Sequence, residues 1–393
     1  MPSRILSARL LLNMAIYLDN NATTSLDPRV LDAMLPWMQG LHGNPSSIHR
    51  PGRAARAALD TARAQVAALV NAQPAQIVFT SGGTEAGNLA LKGVCHGQPH
   101  GRVLISAVEH AAVLGPAEEL IRKGWQVQRI PVDTDCRLDF NALQKMLNAD
   151  VCLVSVMLAN NETGTIQDVK AVAAAAREHS ALLHTDAVQA AGKLPVDFVA
   201  LGVDLLSLSA HKLGGPRGVG ALILDQRLDL APQITGGGQE HGLRSGTENI
   251  AGIIGFGKSA VLAHLELEAR KRHLRTLRDT LEAGLQPIPG ISIFAEQADR
   301  LPNTVQLGVT GFDGEFLVME LDKRGIAVSS GSACHSSSGQ PSHVLLAMGI
   351  DEALARSALR ISFGMHNTMD DVHTLLAALT TLVSKRSGAL VLA

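Results

Sequence analysis

The feature that most restricts how this 393-residue chain can fold is an alternation of element types. Short β-branched runs recur at residues 76–80, 102–106, 127–131, 151–157, 181–186, 205–209 and 220–224. Helical patterns lie between most of them, at residues 85–94, 112–123, 140–147 and 169–179. Strand–helix alternation of this kind predicts an α/β domain around a mostly parallel sheet. The runs 151–157 and 205–209 are continuously apolar, as strands covered on both faces are. After about residue 249 the texture changes. A long helical segment rich in Leu, Glu and Arg runs from 250 to about 285, followed by short strands and helices. The expected organisation is a large domain over residues 14–255 and a smaller α+β domain over 256–393, preceded by an extension at 1–13. No internal repeat is visible.

Composition narrows the function. Hydrophobic residues make up 46% and charged residues 18%, which excludes a disordered chain. The 34 basic and 36 acidic side chains nearly cancel, so binding nucleic acid by bulk phosphate neutralisation is not expected. Eight Phe, two Trp and one Tyr are too few for stacking platforms. No run of 18 apolar residues predicts a membrane span. The N-terminal MPSRILSARLLLNM carries Arg and Ser and no acid, faintly like a transit peptide. Arg9 interrupts its apolar stretch, so it fails as a signal peptide, and Met14 is an alternative start. Cys95, Cys136, Cys152 and Cys334 form no C-x-x-C pair, which points to a reducing compartment and a cytoplasmic location.

In an open α/β sheet, ligands gather beyond the carboxyl ends of the strands. Several polar residues stand at such ends: Gly83, Thr84 and Glu85 opening a helix, His110, Asn160 and Asn161, Asp186, and Ser209 with His211 and Lys212. Singly each reads as a cap or turn residue. Together, a lysine in a turn among small residues (SAHKLGGPRG), an acid on a neighbouring strand end and a helix N-terminus fit for a phosphate match pyridoxal 5′-phosphate (PLP). Cys334 sits in SSGSACHSSSGQPS (329–342), a Ser/Gly segment expected to be an exposed, mobile loop. Cys95, Cys136 and Cys152 read as small apolar residues, with Cys136 in a turn-like stretch and open to exposure.

The segments YLDNNATT (17–24), GNPSSIH (43–49), FTSGGTEAGN (79–88), EH (109–110), ANNETGT (159–165), HTDAVQ (184–189), SLSAHK (207–212), RSGTEN (244–249) and SSGSAC (329–334) resemble the cysteine desulfurases of the NifS/IscS type, in that family's order and over nearly the whole chain. The resemblance implies a fold-type-I PLP enzyme and a homodimer. It implies that Lys212 carries the cofactor as a Schiff base, that Asp186 pairs with the pyridinium and that Gln189 bonds the ring hydroxyl. Gly83, Thr84, Ser209 and His211 would hold the phosphate, with Thr247 reaching in from the partner subunit. His110 would stack on the ring and move protons, Asn161 and Arg360 would clamp the substrate carboxylate, and Cys334 would be the nucleophile. L-cysteine would be the substrate, and an iron–sulfur scaffold or other persulfide-accepting protein the sulfur acceptor. His335, where relatives usually carry a small polar residue, would favour the Cys334 thiolate if protonated and close.

Other readings have less behind them. Selenocysteine lyase or cysteine sulfinate desulfinase would share the cofactor site, but the Cys-bearing loop argues against them. An aminotransferase has no use for Cys334, and a non-catalytic scaffold none for Lys212, Asp186 and His110. Residues 252–259 (GIIGFGKS) match the P-loop pattern, yet no strand precedes them and they fall inside a helical stretch. His184, Asp186 and His211 could mimic metal ligands, but no further ligands appear at suitable spacing, and no metal is expected.

Overall fold

The computed structural model describes residues 16–96, 101–331 and 340–391, the last six by backbone alone. The strands of the first half are β1 (Ile16–Tyr17), β2 (Ile77–Thr80), β3 (Arg102–Ser106), β4 (Gln126–Ile130), β5 (Val151–Ser155), β6 (Leu182–Asp186), β7 (Leu205–Ser209) and β8 (Gly220–Leu224). Those of the second half are β9 (Ile291–Ile293), β10 (Thr304–Val309), β11 (Ile326–Ala327), β12 (Ser329–Ser330) and β13 (Ala358–Ser362). A seven-stranded sheet runs in the order β2-β8-β7-β6-β5-β3-β4. Every pairing in it is parallel except the two made by β8, so the expected mostly parallel sheet is present.

Alternating side chains feed two cores, one on each face. Ile77 and Phe79 of β2 and Leu206 and Leu208 of β7 enter one, with Leu59, Val66 and Phe256. Val78 and Leu205 enter the other, with Leu89, Val103 and Val113. The interior strands β7 and β8 are buried at every residue, whereas the edge strand β4 (QVQRI) is largely exposed, as its polar sequence requires. Asp139, Asp168 and Asp197 cap helices Phe140–Met146, Val169–Glu178 and Phe198–Leu201, each accepting a first-turn N–H.

A second, antiparallel sheet runs in the order β12-β13-β10-β9. Leu274, Leu277 and Leu281 of helix Leu267–Leu285 and Leu375 and Leu379 of helix Met369–Val391 pack with its Val305, Leu307, Leu359 and Ile361. The chain's start contributes too: β1 pairs in parallel with β11, and Leu18 lies in this second core.

The expected single helix over 250–285 is two, Ile250–Leu265 and Leu267–Leu285, bent by 73° at Glu266. The first is apolar nearly all round and sinks Ile253, Phe256, Ala260 and Ala263 into the large core. The second has a single apolar stripe facing the small sheet. One straight helix could not serve both. The helix pair passes from one core to the other at Glu266, and the expected boundary at 255/256 falls inside the first of the two helices. The glycines of the P-loop-like match are explained by packing. A Cβ on Gly257 would stand 2.8 Å from the Ala62 Cα, so glycine lets this helix approach helix Arg50–Leu69. Lys258 is half-buried on the same helix. Among the described residues no single helix is long and apolar enough to cross a membrane.

Candidate active site

A cavity of about 160 Å³ opens at the carboxyl ends of the parallel strands. Gly83, Thr84, His110, Asn161, Asp186, Gln189, Ser209, His211 and Lys212 all line it. They arrive from five separate strand ends because the parallel strands all deliver their C-termini to one edge.

Helix Gly83–Cys95 begins at the cavity wall, and helix geometry leaves the N–H groups of its first turn without intrahelical acceptors. A Cβ on Gly83 would lie 2.9 Å from Val188 Cγ2, so the approach to this turn is tight. Glu85 accepts from Ser81 N (2.8 Å) and from Arg244 Nε (3.0 Å), tying segment 236–249 to the same helix start. His211 Nδ1 meets Thr23 Oγ1 at 3.1 Å. Burial, helped by the Lys212 and Arg217 charges, lowers the His211 pKa to about 4.

Lys212 stands in the turn after β7, and its Nζ donates to the carbonyl oxygens of Asn21 and Ala22. Asp186 ends β6 and accepts from Val188 N at 2.9 Å; burial raises its pKa to about 6. His110 caps helix Ala111–Arg122 through Nδ1, which accepts from Ala112 N at 3.1 Å. Its pKa is lowered to about 4, mainly by burial and then by the positive charge of Lys212. A neutral imidazole whose Nδ1 is an acceptor carries its proton on Nε2.

Arg360 does not line the cavity. It is almost fully buried behind Asn161, donating to the Asn161 carbonyl oxygen (3.2 Å) and to Asp19 Oδ1 (2.8 Å). Its Nε is buried with no acceptor among the described residues. Thr247 is exposed and lies outside the cavity of its own chain. Cys334 and His335 fall outside the described residues. Cys136 is fully buried against Phe294 and Val344, contrary to the exposure its turn-like sequence suggested, and burial pushes its thiol up to about 12. His184 is sandwiched between Ser155 Oγ (2.8 Å) and Ser207 Oγ (2.9 Å), which gives it the role of a sheet-interior hydrogen-bonding residue.

Sequence reasoning gave no role to Asn21, Asp19, Glu109 or Lys193. Asn21 is hydrogen-bonded to residues of five segments, through Asn161, Lys193, Lys212, Thr304 and Ser362, and Glu109 is a buried carboxyl that accepts from Met157 N at 2.7 Å. The only sequence signal for Lys193 was its place four residues after Gln189.

The residues present fit PLP. A tight helix start could take a phosphate, a buried carboxyl could meet a ring nitrogen, and a lysine amine lies on the cavity wall.

The aminotransferase class-V family model matches residues 16–375. The chain is 46% identical over 374 residues to a cysteine desulfurase of Cereibacter sphaeroides, covering 94% of this chain and 96% of the relative. It is 42% identical over 373 residues to the cysteine desulfurase IscS of Dictyoglomus turgidum, covering 94% and 95%. A solved NifS-like protein superposes with a TM-score of 0.89 at 38% identity, covering 94% of this chain and all of that one.

Proposed function

The chain belongs to the aminotransferase class-V family, and on that premise we propose that it is a PLP-dependent cysteine desulfurase that moves sulfur from L-cysteine to Cys334. The observation that carries this reading is the convergence of Lys212, Asp186, His110, Gln189 and the Gly83–Thr84 helix start on one cavity. When bound, PLP supplies an electron sink for the carbanion formed at the substrate Cα. Lys212 would hold it through its amine, Asp186 would meet the ring nitrogen, Gln189 the ring oxygen, and Gly83, Thr84, Ser209 and His211 the phosphate.

The chain's own groups divide the remaining work. The Arg360 guanidinium, behind Asn161, supplies the positive charge that draws the substrate carboxylate to this end of the cavity. Lys212 Nζ, released when the substrate amine takes its place, would then take the Cα proton. His110 cannot, because its Nδ1 lone pair is committed to the Ala112 N–H and its Nε2 already bears a proton. It therefore donates from Nε2, and its low pKa keeps it neutral at physiological pH. The Cys334 thiolate attacks the substrate sulfur. The Cβ–S bond breaks as an S–S bond forms, so L-cysteine and the enzyme thiol become L-alanine and an enzyme persulfide. A free thiol titrates at about 8.5, so turnover rises as pH climbs through that range.

The persulfide passes to an iron–sulfur scaffold or another thiol-bearing acceptor. The enzyme works as a homodimer in a reducing, cytoplasmic setting; the exposed Thr247 fits service to a partner's site, and the three described cysteines are free thiols. Cys334→Ala tests the reading. It should load PLP and change its visible spectrum with L-cysteine, yet form neither alanine nor sulfide. Full turnover in that variant removes Cys334 from the mechanism.

A further inference from the structure

Lys193 is a lysine that the reaction as described does not use. It is 6% exposed, and its amine lies behind Gln189, a residue of the cavity wall. Its Nζ donates to Gln189 Oε1 at 2.8 Å and to Asn21 Oδ1 at 3.1 Å. Neither acceptor is a carboxylate. The charged groups that act on it, Lys212 and Arg360, are both cations, and they add to burial in disfavouring its charged form. A buried amine kept in such surroundings costs stability unless its geometry does something for the site.

What it does is fix an amide. Gln189 Nε2 donates to the Asn21 carbonyl oxygen at 2.9 Å, the same oxygen that holds Lys212 Nζ. If the Gln189 amide turned over, its NH₂ would face the Lys193 amine and its oxygen would face the Asn21 carbonyl. Two acceptor oxygens would then face each other across the Asn21 contact, and the Lys193 N–H would lose the oxygen it now donates to. Asn21 is fixed by the same logic. Its Oδ1 accepts from Lys193 and from Asn303 Nδ2 (3.0 Å), while its Nδ2 donates to Asn161 O (3.1 Å) and Thr304 Oγ1 (2.9 Å). Only one orientation of each amide satisfies the network.

We propose that Lys193 is a positioning residue: by holding the Gln189 carbonyl oxygen, it makes Gln189 present N–H, and not oxygen, to the ring oxygen of the cofactor. This rests on the PLP reading of the cavity. A donor at that oxygen stabilises its anionic form, so Lys193 sets both how tightly PLP is held and the pH at which its visible absorbance changes.

The test is a double-mutant cycle on PLP-loaded enzyme, reading the PLP dissociation constant and the pH midpoint of the visible band. Lys193→Met should weaken PLP roughly tenfold and raise the midpoint, the worth of about one hydrogen bond. Gln189→Leu should do the same, and the double variant no more than Gln189→Leu alone. Lys193→Gln keeps a donor in the same space and should fall between wild type and Lys193→Met; it also serves if the methionine variant does not fold. Additive losses, or a Lys193→Met enzyme less stable to heat but with unchanged midpoint and affinity, overturn the proposal. A wild type that takes up no PLP sinks the reading of the cavity instead.

Discussion

Three histidines mark how far the site depends on dry surroundings. His110 and His211 titrate at about 4, and His184 at about 3, chiefly because burial disfavours their charged forms. Each is charged in the unfolded chain below its ordinary value of 6.5 but neutral in the fold down to these lower values. Their contribution is therefore whole above pH 6.5 and is lost as pH falls towards 4. Asp186 works the other way. Its raised pKa makes the fold prefer the protonated acid, so stability from this group falls as pH climbs from 3.8 to about 6. His184→Gln should keep a hydrogen-bonding side chain between Ser155 and Ser207 while removing one titration. Its stability loss between pH 7.5 and pH 5, read by denaturant unfolding, should be smaller than wild type's by about 2 kcal/mol. Equal losses would show that His184 is not held neutral.

Elements that are buried on both faces were the easiest to find from sequence. All seven strands of the large sheet lie within two residues of their expected runs, and in all but the exposed edge strand β4 the reason is that a strand covered on both sides tolerates little but apolar residues. The residues at their C-terminal ends were legible for the same reason, since parallel pairing brings those ends together whatever the loops do. The bend at Glu266 was not. The stretch around it (HLELEAR) holds good helix formers and no Gly or Pro, and the break is set by two cores pulling on one helix. The two- and three-residue strands β9, β11 and β12 are too short to show a period. Asn21 and Lys193 were invisible as a pair because their partners meet only in the folded chain. The segment at 236–246 adds a prediction of this scale. Glu240, 7% exposed, takes a two-point bond from Arg63 (2.6 and 2.8 Å) and accepts from Phe79 N at 2.8 Å, pinning the segment to β2. Glu240→Ala strands the Arg63 guanidinium in the interior and should cost about 3–5 kcal/mol in denaturant unfolding. A loss below 1 kcal/mol would contradict the pinning role.

At the scale of the whole molecule, the stretch 38–48 exposes three apolar side chains close together in sequence: Met38 at 64%, Leu41 at 51% and Ile48 at 89%. Together with the exposed Thr247, they fit a face covered by a second copy. Sedimentation should give twice the mass of one chain. Met38→Glu with Ile48→Glu should shift the protein towards monomer and weaken PLP retention, whereas a wild-type monomer with full activity would contradict the dimer. The account as a whole stands on which amine carries the cofactor. Two half-buried or buried lysines, Lys212 and Lys193, lie within this site, and only the first lines the cavity. Borohydride reduction of the PLP-loaded enzyme, followed by proteolysis and mass spectrometry, should place the pyridoxyl mass on the peptide bearing Lys212. Recovery of that mass on Lys193, on another lysine, or on none would contradict the account.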